Sequence, residues 1–253
     1  MEAATVLLLW VGGLVAGAVT AVAGGGSFLT FAMLLATGIP PLSASITNWI
    51  ALIPGNLMAL AGYRKELAEM RHEVRANLWV AAVGGFSGSL LLLWTGEARF
   101  AKAVPWLMLQ ATLFFAFGEP IKRRLHAWRP SGRRLPQRAI LVFEFVLMLY
   151  GGYFSAGLGI ILLAALAMAG EVSIHRANAK KNLMVTVLSA AGLLLFLPSG
   201  QVVWRYATPI LLGASMGGYG AVFFIRRIPQ HVVRQAVLTW AVVLTGVMFW
   251  KYG

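Results

Sequence analysis

An apolar run of only eleven residues, 27–37, lies between the triple glycine Gly24-Gly25-Gly26 and the turn Gly38-Ile39-Pro40-Pro41. As a helix it rises roughly 16 Å, about half of a ~30 Å hydrocarbon core, so inside a membrane one of its ends must sit near mid-depth. Irregular backbone at that depth survives only where protein buries it or water lines it. The glycine turn, the 38–48 turn, or both are therefore expected to face a cavity. A broken helix and a re-entrant hairpin both satisfy this.

The oddity recurs. Counting 134 positions on, Gly17, Gly25 and Asn48 meet Gly151, Gly159 and Asn182 without a gap, and a second short apolar segment spans 158–170. Broken apolar segments at matching places in two halves mark the binding site of many transporters.

That reading requires a membrane chain, and the composition agrees. Of 253 residues 59% are hydrophobic and 11% charged, with a mean hydropathy of +0.78, whereas soluble domains carry about 25% charged residues. Longer apolar segments occur around 5–23, 46–62, 77–94, 103–118, 139–157, 183–198, 206–225 and 236–252. Pro54-Gly55-Asn56 is expected to kink the second of these. The first is read as an uncleaved helix, because its start carries Glu2 and no Lys or Arg. Without cysteine there are no disulfides or thiolate metal sites.

The net charge of +13 could suggest nucleic acid, but the basic residues lie in short loops. If each of ten segments switches sides, loops 63–76, 119–138, 171–182 and 226–235 share one face with 17 Lys and Arg, against four on the other. This bias puts the first face in the cytoplasm and both termini outside. Five segments per half is an odd number, so the second half enters from the opposite side. The expected fold is an all-α polytopic membrane protein of two inverted repeats, 1–118 and 139–253, joined by a basic cytoplasmic linker, 119–138.

These residues carry a family resemblance. The opening Gly13, Gly17, Ala21 and Ala23 to Ser27, the turn Pro40 to Asn48, and its repeat around His175-Arg176-Ala177-Asn178 resemble the TauE/SafE family of sulfite and organosulfonate exporters. The resemblance implies a multi-pass permease of the prokaryotic inner membrane that moves small sulfur-containing anions, usually outward, without a cofactor. Two places depart from the family pattern. Ala156-Gly157-Leu158-Gly159 stands where a second triple glycine is usual, and Lys180-Lys181-Asn182 where a Thr-Ser or Thr-Asn pair is.

The candidate site residues follow from the two turns. Gly24, Gly25, Gly26 and Ser27 precede a short helix, whose free amides and positive dipole end suit an oxyanion. Ser155, Gly157 and Gly159 are their counterparts. Close helix packing is the alternative use of such small residues. Thr47, Asn48 and Trp49 are expected to open one helix, and Lys181 with Asn182 its partner, as polar ligands or merely as caps and cytoplasmic charges. Glu144 is the only acid deep in an apolar segment, a possible proton relay or a partner of Arg138 or Arg134.

The expected function is a secondary permease that rocks one half against the other and exports a small anion. An importer of thiosulfate or another anion, coupled to an ion gradient, is the nearest alternative. A membrane hydrolase using Ser87, within Gly85-Phe86-Ser87-Gly88, is the alternative of another class, but it needs a histidine base and all four histidines fall in expected loops. The expected partners are the lipid bilayer and the anion, without nucleic acid. No metal-ligand spacing occurs.

Overall fold

The computed structural model describes residues 2–22, 25–71, 73–127, 136–171, 173–224 and 230–252. Among them all regular structure is helical. The order is α1 (Ala3–Val22), α2 (Gly26–Ala36), α3 (Pro41–Leu60), a 3-10 turn (Ala61–Tyr63), α4 (Arg64–Met70), α5 (Arg75–Ala127), α6 (Gln137–Tyr153), α7 (Leu158–Met168), α8 (Ile174–Phe196), α9 (Trp204–Phe224) and α10 (Gln230–Tyr252). Four spans among the described residues, Ala3–Ala21, Pro41–Met70, Arg75–Phe114 and His175–Phe196, are long and apolar enough to cross a membrane. Their outer faces carry Leu8, Trp79, Trp94 and Leu194, all well exposed, as a lipid solvent requires.

Most expected segments appear within a few residues of their place. Helix α5 is broken at Gly96, whose φ of 70° and ψ of 169° are not helical, and its two limbs hold the expected segments 77–94 and 103–118. The second limb continues to Ala127, into the stretch read as a linker.

A larger correction concerns α3 and α8. The Pro40-Pro41 pair does not hold off the helix until residue 46. Pro41 takes the first helical position, where its missing N–H would have had no partner anyway. Helix α8 likewise starts at Ile174, capped by the Ser173 hydroxyl. Thr47, Asn48, Trp49, Lys181 and Asn182 therefore sit inside helices and open none.

Packing exchanges helices between the halves. Helices α1 and α3 pack on α9, whereas α6 and α8 pack on α5. Small residues make these approaches possible. A methyl group on Gly217 would collide with the Leu14 backbone of α1, and one on Gly84 with Met148 of α6. One on Gly218 would strike Gly55 of α3, and one on Gly85 would strike Leu188 of α8. Each pair is related by 133 positions. Thr112 and Thr245, also 133 apart, hydrogen-bond to each other at 3.0 Å. The result is two bundles: α1, α2 and α3 with α9, and α6, α7 and α8 with the first limb of α5.

Candidate functional site

Each short helix starts on a glycine in the left-handed region, Gly25 with φ 105° and Gly157 with φ 78°. Each is eleven residues long and is followed by a second left-handed glycine, Gly38 or Gly170. Only glycine adopts such a φ without strain. These landmarks lie 132 apart, whereas Pro41 and Ile174, at the starts of α3 and α8, lie 133 apart. The ungapped offset of 134 is thus corrected: Gly25 matches Gly157, not Gly159, and one residue is inserted before α8.

A cavity of about 50 Å³ opens between the two bundles. From the first bundle Thr20, Gly25, Ser27, Trp49, Leu52 and Asn56 line it. From the second come Ser155, Gly159, Lys181, Asn182 and Ser189, with Leu158, Val185 and Leu188 as apolar wall. The first turns of α2 and α7 both border it, so two positive helix ends meet there. Seven of the expected residues are brought together: Gly25, Ser27, Trp49, Ser155, Gly159, Lys181 and Asn182.

Lys181 decides the electrostatics. It is 2% exposed, and its Nζ donates to the Thr20 carbonyl at 3.3 Å. Among the described residues no carboxylate pairs with it, nor does one line the cavity. A buried amine costs least when an anion stands beside it. Asn182 donates to the Ala21 carbonyl at 3.5 Å, another link from the second bundle to the first.

The other expected residues stand back from the cavity. Asn48 is 3% exposed and donates to the Ser27 carbonyl at 3.1 Å, which fixes the start of α2. Gly26 is close-packed against Ala16 and Thr20. Gly157 caps α7 with its Cα toward Ala111. Thr47 is used elsewhere: its Oγ1 accepts from the Val203 amide at 3.0 Å. Gly24 lies outside the described residues.

Glu144 is fully buried, one of its oxygens accepting from Asn77 Nδ2 and the other 3.8 Å from Lys180 Nζ. The expected partner is corrected. Arg138 is exposed on the first turn of α6, whereas Glu144 faces α5 and α8; Arg134 lies outside the described residues. Ser87 is half-buried in α5, while His175 is exposed at the start of α8.

Sequence reasoning missed Thr20, Asn56 and Ser189 as cavity residues. A signal existed for two of them. Asn56 follows Trp49 by seven, as Ser189 follows Asn182, which puts each pair on one helix face. An offset of 133 then superposes Trp49, Leu52 and Asn56 on Asn182, Val185 and Ser189.

The family model described as sulfite exporter TauE/SafE matches residues 9–248. A probable membrane transporter protein of Haemophilus influenzae is 29% identical over 97% of this chain and 95% of its own. The probable membrane transporter protein YfcA of Escherichia coli K12 is 23% identical, covering 92% of this chain and 85% of its own. A third relative, ORF9 of a Sinorhizobium species, carries the same description, with 24% identity over 83% of this chain and 78% of its own. No solved structure matches the chain. With a match running through every helix that lines the cavity, the chain is a multi-pass membrane transporter and belongs to the TauE/SafE family of sulfite exporters.

Proposed function

We propose that the protein exports a small sulfur-containing oxyanion, such as sulfite or an organosulfonate, across a prokaryotic inner membrane. The observation that carries this reading is a buried lysine with no carboxylate paired to it among the described residues, lining a cavity between the first turns of two short helices. Amides, hydroxyls and one amine converge there, and all of them can donate to an anion.

The same observation supports alternating access. Residues from both bundles line the cavity, and Lys181 and Asn182 span the gap between them. The close contacts of Gly84, Gly85, Gly217 and Gly218 lie within each bundle, whereas Gly192 of α8 meets Trp49 of α3 across the seam. We therefore assign the motion to these mixed bundles, in place of a rocking of residues 1–118 against 139–253. An inverted relation between the halves, with both termini periplasmic, accounts for the exchanged packing and for the basic loops.

Energetics favour the outward direction. With the cytoplasm negative, each exported negative charge gains about 2.3 kcal/mol per 100 mV, so no coupled proton is required. Glu144, held by Asn77 and Lys180, is assigned to holding α5, α6 and α8 together rather than to proton relay. The test is labelled sulfite uptake into inverted vesicles. Wild-type protein is expected to take it up with an inside-positive potential, and Lys181→Met to lose at least about 90% of the rate. Equal rates in the two would refute the site, and sulfite uptake into right-side-out vesicles that depends on an ion gradient would favour an ion-coupled importer.

A further inference from the structure

We propose that the indole N–H of Trp49 is a ligand-binding donor of this cavity. With Lys181, it selects compact anions that accept hydrogen bonds at several oxygens and bear no cationic group. The inference rests on the anion-site reading above and adds to it the role of one donor atom and a selection rule.

Trp49 is 5% exposed and lines the cavity, and its Nε1 is buried without a hydrogen-bond partner among the described residues. An indole nitrogen only donates, so no rotation or tautomer can satisfy it, and a buried donor left unpaired is costly. The ring is also held in place. Phe196 meets it edge to face at 5.5 Å and 83°, and a methyl group on Gly192 would press its Cε2 and Cζ2 atoms at 3.3 and 3.2 Å. A donor left unpaired on a ring held this firmly at the cavity wall is suited to a ligand acceptor.

The neighbouring polar groups set what the acceptor must be. Thr20 Oγ1 is buried without a partner among the described residues as well. Lys181 has three N–H bonds to offer and one carbonyl acceptor, that of Thr20. Donors thus approach the cavity from α1, α3 and α8, while no lining residue is acidic. An ion of three or four oxygens around one central atom answers several such donors at once. A zwitterionic aminosulfonate would instead bring an ammonium group against Lys181 with no carboxylate to receive it.

The experiment compares wild-type protein, Trp49→Phe and Lys181→Met in proteoliposomes with sulfite, sulfate, thiosulfate, chloride and aminomethanesulfonate. The anion with the lowest wild-type KM serves as reporter. Trp49→Phe should raise its KM about tenfold, keep the maximal rate within about twofold, and shrink its advantage over chloride by the same factor. Aminomethanesulfonate should not compete. Should Trp49→Phe fail to insert, the benzothienyl analogue of tryptophan placed at 49 by suppression removes only the N–H and gives the same readout. An unchanged KM with the analogue or the Phe variant, alongside loss of transport in Lys181→Met, overturns the Trp49 assignment and leaves the anion site standing. Competition by aminomethanesulfonate overturns the selection rule. Normal transport by Lys181→Met, or no transport of any probe by wild type, overturns both readings.

Discussion

Lys180 and Lys181 are adjacent in sequence and lie on one helix, yet they are treated in opposite ways. Lys180 faces Glu144 across 3.8 Å in a cluster completed by Asn77. Lys181 has a carbonyl for company and a cavity in front of it. Successive helical residues point about 100° apart, which is enough to put one lysine within a bundle and the other at the seam. The first closes its own charge balance within the protein. The second leaves the balance to be closed by something that arrives and departs.

The comparison breaks most sharply at the second lysine. Replacing Lys181 by Met is expected to abolish anion transport while raising the melting temperature, since a buried polar group with no counter-charge is removed. A variant that transports normally, or one that melts lower, would show that both lysines are structural.

The converse applies to the paired site. Glu144→Leu leaves Lys180 without its partner and should cost about 3 kcal/mol of stability, whereas the double variant Glu144→Leu/Lys180→Met should recover most of it. Chemical denaturation in detergent would measure both. Full recovery accompanied by normal transport would sharpen the contrast; a double variant as unstable as the single one would break it.

Backbone substitutions should have smaller effects on stability. Gly25→Val forces a branched side chain to φ 105° and should cost about 2 kcal/mol, with transport lost but insertion retained. Smallest is Asn48→Ala, which removes the bond to the Ser27 carbonyl at 3.1 Å. About 1 kcal/mol is expected, together with a raised KM, because the start of α2 would be held less firmly. Wild-type transport kinetics in either variant would argue that the α2 turn takes no part in the site.

The short helices were legible from residue types alone, since glycine at Gly25, Gly38, Gly157 and Gly170 punctuates both at the points where the backbone turns left-handed. The starts of α3 and α8 were not. A double proline is read as a stop, but at the first helical position Pro41 is a start, and the register of everything after it moves. Which of two neighbouring lysines meets Glu144 depends on that register. The polar face Asn182–Ser189 left a signal in its seven-residue spacing, but that spacing does not say that the face meets a cavity. Exchange of helices between halves leaves no local trace, for the glycines that permit it lie in segments distant along the chain.

That exchange bears on how the protein is made. Helix α1 leaves the ribosome well before α9, which begins at Trp204, yet α9 supplies the surface that fills its glycine groove. At about 5–20 residues per second of synthesis, the gap is roughly 10–40 s. Throughout that interval α1 must be shielded by lipid or by the insertion machinery. A chain halted before α9 emerges would leave that groove unfilled and exposed to membrane quality control.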